Sequence, residues 1–274
     1  MLQKINLPNV RHVVAVASGK GGVGKTTVTV NLALALQKLG ARVGVFDADI
    51  YGPNVPIMLG IHRRQASSGY VPLARPKSAL PYIEPLERFG LRVMSAGLLV
   101  AENEVINPPL GSSVGQLVVQ TLKDIVWGEL EYLLLDLPPS AGQPQADLIK
   151  FVPMKGVIIV TTPQDLSLLD ASRSLQMFRD NSVPVLGVVE NMSYFICPNC
   201  GERHEIFQRS DRWRPPALED APVLGRIPLT AAISRGINQA DPLVHGDPDS
   251  PQAQAFLDIA ARLREQGGSR SASA

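Results

Sequence analysis

Eight residues near the amino terminus have the types and spacing to do chemistry together: Gly19-Lys20-Gly21-Gly22-Val23-Gly24-Lys25-Thr26. They match the phosphate-cradling pattern G-x-x-x-x-G-K-[ST] at every fixed position. The glycines let the backbone wrap so that several N–H groups point inward at an anion. The amino end of a following helix adds its partial positive charge. Lys25 is placed to reach the β- and γ-phosphates, and the Thr26 hydroxyl to ligate Mg²⁺. Gly19 through Thr27 are therefore expected to bind ATP with Mg²⁺.

Carboxylates recur in matching places. Leu133-Leu134-Leu135-Asp136 is an apolar run ending in an acid, suited to holding Mg²⁺, usually through a water. Asp47 and Asp49 follow a second apolar run, where a carboxylate near the γ-phosphate can orient or deprotonate an attacking water, and Asp47 is the one expected to position it. Aspartate also forms turns and caps, so these positions have a structural reading beside the catalytic one.

Cys197 and Cys200 are the only cysteines among 274 residues. Two residues apart, both thiolates can face one metal or cluster, and the same spacing supports thiol–disulfide exchange. A cluster normally needs four cysteine ligands, and a two-fold dimer of this chain would bring two pairs together across its axis. Zinc held with nearby His204 and a fourth ligand, a reversible disulfide, and inert small residues are the other readings.

The elements that must position these groups are legible as apolar runs. Strands are expected near 12–17, 41–46, 91–95, 132–135, 156–161, 185–190 and 223–227. Helices are expected near 25–38, 113–126, 167–179 and 251–264. Apolar strands alternating with helices argue for a mostly parallel sheet covered on both faces, an α/β fold with ligands at the carboxyl ends of the strands. With 45% hydrophobic and 19% charged residues the chain can bury one sizeable core. We read one domain over 11–266, with the Cys-x-x-Cys insertion near 195–205, a flexible leader at 1–10, a loop at 62–80 and a disordered tail at 267–274. A formal net charge of +1 creates no global field for nucleic acid or an acidic membrane. No apolar stretch approaches the roughly 20 residues that span a bilayer, and the short amino-terminal run is no signal peptide. A cytoplasmic protein without nucleic-acid or membrane partners is the expectation.

Lys20 is the second lysine of the loop, and Lys20-Gly21-Gly22-Val23-Gly24-Lys25-Thr26 resembles the deviant Walker A motif of the ParA, MinD and nitrogenase iron-protein class. In that class the extra lysine reaches across a dimer interface to the partner's nucleotide. Asp47-Ala48-Asp49-Ile50-Tyr51-Gly52-Pro53, Asp136-Leu137-Pro138-Pro139, Thr161-Thr162-Pro163-Gln164-Asp165 and Glu190-Asn191-Met192-Ser193-Tyr194 look like the Mrp/ApbC family within it. The resemblance spans about residues 10–265. It implies a homodimeric, slow, switch-like ATPase whose Cys-Pro-x-Cys motif bridges a labile 4Fe–4S cluster for transfer to apo iron–sulfur proteins. It also implies that Lys20 acts in trans and that Asn191 helps recognise adenine. The chain departs from the family pattern at Asn107-Pro108-Pro109-Leu110, at Ser140-Ala141-Gly142-Gln143 and over Gln208–Asp220.

Overall fold

A computed structural model describes residues 3–61, 83–99, 113–139, 142–197, 199–207 and 215–269. The loop expected at 62–80 and the departures at 107–110 and 140–141 lie outside these residues, as do most of the one at 208–220 and the end of the tail.

In chain order the elements are β1 (Val10–Ser18), α1 (Lys25–Lys38), β2 (Val43–Asp47), α2 (Val55–Leu59), β3 (Leu86–Arg88), β4 (Leu91–Ser95), α3 (Val114–Asp124), β5 (Leu130–Asp136), α4 (Gln143–Phe151), β6 (Gly156–Thr161) and α5 (Asp165–Asp180). There follow β7 (Val185–Glu190), β8 (Phe195–Ile196), β9 (Arg203–His204), α6 (Pro216–Glu219), β10 (Val223–Arg226), α7 (Ala231–Asn238), α8 (Leu243–Gly246) and α9 (Pro251–Ser269). Eight strands make one sheet in the order β10-β7-β6-β1-β5-β2-β4-β3. Every pairing is parallel except β3 with β4. The α/β architecture expected from the apolar runs is the one observed.

The strands read as near-continuous apolar runs because both faces are covered. Period-two alternation divides each strand between two cores. Val14 and Val16 of β1 join Val45, Leu134 and Ile158 on one face, against α1 and α9. Val13, Ala15 and Ala17 join Phe46, Leu133 and Ile159 on the other, against α3, α4 and α5. Helix α1 is buried without interruption from Val28 to Leu36, since α9 and α8 cover the side turned away from the sheet. Its one polar residue in that stretch besides Thr29 is Asn31, whose Oδ1 accepts the Val244 N–H at 3.0 Å.

The segment expected to be a flexible leader is tied down from Ile5 onward. The Ile5 N–H donates to Phe151 O at 2.8 Å, Leu7 is buried, and the Leu130 N–H donates to Asn9 O at 2.8 Å. Helix α9 runs to Ser269, past the expected start of the tail. The helices α2, α4, α7 and α8 have no counterpart in the sequence reading. They are only four to nine residues long, too short for helical periodicity to declare itself. Among the described residues no helix is long and apolar enough to cross a membrane.

Phe256 is fully buried where α9 closes the core over α1. Phe256→Ala is expected to lower unfolding free energy by about 3–5 kcal/mol, measured as a shifted denaturant midpoint at unchanged slope.

Candidate functional site

The phosphate loop leaves the carboxyl end of β1, a central strand flanked by β5 and β6. Two backbone requirements explain its glycines. A Cβ on Gly19 would stand 2.1 Å from the backbone carbonyl of Asp170, because α5 packs directly behind it. Gly24 has φ +82°, and a Cβ there would meet the Asn191 side chain at 2.3 Å. The loop opens onto a cavity of about 320 Å³, lined by Lys20 through Thr27 together with Ser18, Asp49, Asn54, Met58 and Pro139, among others. Lys20 lines it while remaining half-exposed.

Asp136 sits at the end of β5, 1% exposed, with both carboxylate oxygens engaged. Lys25 Nζ stands 2.7 Å from Oδ1. The Thr29 hydroxyl donates to Oδ1 at 2.8 Å and the Thr26 hydroxyl to Oδ2 at 2.7 Å. Sequence reasoning found Lys25, Thr26 and Asp136 but not Thr29, which lies one helical turn beyond Thr26 on the same face. In an octahedral Mg²⁺ site with bonds of about 2.0–2.1 Å, neighbouring oxygens stand roughly 2.9 Å apart. The spacing of Thr26 Oγ1 and Asp136 Oδ2 fits such an edge.

Asp47 and Asp49 separate in role. Strand pairing sets Asp47 directly beside Asp136. Asp47, the residue expected to position the attacking water, is fully buried and does not line the cavity, whereas Asp49 does. Asp47 Oδ1 accepts the Asp49 N–H at 3.0 Å, and its Oδ2 accepts the Val55 N–H and the Ser95 hydroxyl, each at 3.2 Å. Burial, and then the charge of Asp136, push its pKa from 3.8 up to about 8. Asp49 borders the cavity, and its Oδ1 accepts the Gly52 N–H at 3.1 Å. Asn191, at the end of β7, stands behind the loop. Its amide N–H donates to Val23 O at 2.8 Å, and it is 4% exposed. That bond uses one of the two amide hydrogens.

Cys197 and Cys200 lie on the turn of the β8–β9 hairpin, which follows β7 at the same end of the sheet as the phosphate loop. Phe195 pairs with His204 and Ile196 with Arg203. The Cys197 N–H donates to Glu202 O at 2.9 Å, and the Gly201 N–H to Cys197 O at 2.8 Å, with Gly201 at φ +73°. Both thiols are free, Cys200 exposed and Cys197 partly so. Hydrogen bonds from the backbone N–H of Cys200, then that of Asn199, then the Cys200 thiol hold the Cys197 pKa below the ordinary thiol value. Such donation favours the thiolate, the form that ligates metal.

The sequence profile of the ParA group described as NUBPL iron-transfer P-loop NTPase matches residues 9–264. A Deinococcus radiodurans protein named iron-sulfur cluster carrier protein is 43% identical over 263 residues, covering 95% of this chain and 71% of that one. A Pseudomonas fragi protein of the same name is 42% identical over 257 residues, covering 93% and 85%. A nucleotide-binding protein of Archaeoglobus fulgidus, solved in complex with ADP and with cobalt found in it, superposes with a TM-score of 0.69. It is 31% identical and is covered to 93%, against 91% of this chain.

The buried Asp47 has a consequence for stability. Between pH 4 and 8 the folded chain keeps the Asp47 proton that the unfolded chain has released. By linkage the nucleotide-free protein loses this contribution as pH rises across that window and levels off above it. Asp47→Asn should flatten the dependence, read from denaturant midpoints at several pH values between 5 and 9.

Proposed function

The chain belongs to the NUBPL-type iron-transfer P-loop NTPases of the ParA group, and from that premise we propose that it is an ATP-dependent carrier of iron–sulfur clusters. ATP occupies the cavity over Gly19–Thr27. The backbone N–H groups of the loop and Lys25 take the phosphate charge, which draws Lys25 from its resting partner Asp136. Thr26 and Asp136 are the residues that hold Mg²⁺, which neutralises charge on the β- and γ-oxygens when bound. Asp49, at the cavity wall, orients the attacking water, and the buried Asp47 fixes the turn that carries Asp49.

Two copies of the chain close around the nucleotide, with Lys20 of each reaching the phosphates held by the other. Three large apolar side chains support this arrangement: Tyr51, Ile57 and Leu166 are 69%, 65% and 71% exposed. These are the three most exposed of the six large apolar side chains exposed among the described residues, and all three follow strands at their carboxyl ends, where the loop also lies. The carrying observation is the cysteine count. One chain supplies two accessible thiols at the nucleotide-binding edge, half of what a 4Fe–4S cluster requires. Closure of the dimer joins the two pairs, and slow hydrolysis then acts as a switch on cluster affinity for delivery to apo iron–sulfur proteins. We place this activity in the cytoplasm, without nucleic-acid or membrane partners.

Anaerobic reconstitution with iron and sulfide tests the cluster. About four irons per dimer are expected, lost in the Cys197→Ala/Cys200→Ala variant. A colourless wild-type protein that retains no iron would overturn the reading. Lys20→Ala should lower ATP turnover by about tenfold or more, while monomer affinity for ATP changes less than about threefold. Equal loss of both in steady-state and binding assays would argue against action in trans.

A further inference from the structure

Hairpin geometry gathers more ligands than the two thiols. In an antiparallel pair, residues directly opposite share a face, as do residues two apart on one strand. His204 is opposite Phe195, and Cys197 is tied across the hairpin to Glu202. Cys197, Glu202 and His204 therefore share one face, and the turn folds Cys200 onto it. The opposite face is occupied otherwise: Arg203 stacks over the Tyr194 ring at 3.9 Å. The ligand atoms of Cys200, Glu202 and His204 all lie within 4.8 Å of one another. Cys197 Sγ lies outside this 4.8 Å group and joins it through its place on the same face of the hairpin.

We infer that Cys197, Cys200, Glu202 and His204 form a mononuclear site within a single chain for a borderline-soft divalent ion such as Zn²⁺ or Fe²⁺. Two sulfurs, one imidazole nitrogen and one carboxylate oxygen make a ligand set such ions accept in tetrahedral geometry. With bonds of about 2.0–2.3 Å, ligand atoms in that geometry stand roughly 3.3–3.8 Å apart, so Cys200, Glu202 and His204 need to close by only about 1 Å, and Cys197, outside that group, has further to move. All of them lie on an exposed hairpin, where small side-chain rotations meet little resistance. The site shares its thiols with the proposed bridging cluster but does not depend on a partner copy. The two occupancies exclude each other, since a cluster takes both thiolates of each chain.

Co²⁺ titration of the reduced chain under anaerobic conditions tests the site, followed by visible absorption, metal count and solution mass. One Co²⁺ per monomeric chain is expected, with thiolate-to-cobalt charge transfer and the intense ligand-field bands of four-coordination. His204→Ala and Glu202→Gln should each weaken binding about tenfold or more, and wild-type chain preloaded with Zn²⁺ should resist cluster reconstitution. One Co²⁺ per two chains on a dimer, or affinity unchanged in both variants, would overturn the inference. Cluster reconstitution of His204→Ala separates the two readings. Four irons per dimer there, beside lost Co²⁺ affinity, supports a mononuclear set distinct from the cluster ligands. Failure of wild-type reconstitution overturns the bridging cluster alone.

Discussion

A buried negative charge organises the nucleotide end of this molecule. Asp136 ends a strand in the middle of the sheet, where water cannot reach its carboxylate, and an unpaired ion there would cost several kcal/mol. Lys25 neutralises it, and the hydroxyls of Thr26 and Thr29 donate to its two oxygens. The first turn of α1 is thereby locked to the end of β5, and the loop between β1 and α1 is held in shape before any ligand arrives. The ion pair is also a competition. In the function proposed, a triphosphate would offer Lys25 more charge than one carboxylate, and Mg²⁺ would offer Asp136 a partner in exchange. Binding can rearrange these side chains without leaving a charge unpaired.

Asp47 adds a second carboxylate beside the first, and the two cannot both ionise cheaply. Its three hydrogen-bond donors come from the segment that follows β2 and from the end of β4. That segment carries Asp49 and Asn54 to the cavity wall. The protonation state of a side chain that never touches the cavity thus bears on how firmly the wall is held.

The sheet and the hairpin contrast in rigidity. Around the phosphate loop, glycines admit backbone contacts that no other residue would fit, and α1 is enclosed on every side. The Cys-x-x-Cys hairpin has two residues in each strand and an exposed surface from Cys200 through Ile206. Few apolar contacts hold it, so its shape rests on backbone hydrogen bonds across the turn. A firm nucleotide platform beside a yielding metal arm suits an element that must take up and release cargo, because low local stability permits rearrangement at small cost.

Local pattern was enough to read the phosphate loop, the Asp136 strand end, the cysteine pair and the parallel α/β sheet. Each depends on residues adjacent in sequence or on the apolar runs that double-sided burial demands. Helix α1 and strands β4, β6 and β7 match their expected limits, since glycine, proline or polar turn residues bound each apolar run. The short helices were not, and neither were the working partnerships. Thr26 meets Asp136 across 110 positions and Asn191 meets Val23 across 168. Strand order decides such meetings, and strand order is a property of the whole sheet. Sequence alone put Asp47 ahead of Asp49 as the residue that positions water; the pairing of β2 with β5 buried the first and left the second at the cavity. The sequence by itself determined which chemistry the chain can carry, because residue type and local spacing set that. Tertiary structure decided which of those groups touch, because the long-range approach of strands and helices is what places them within bonding distance.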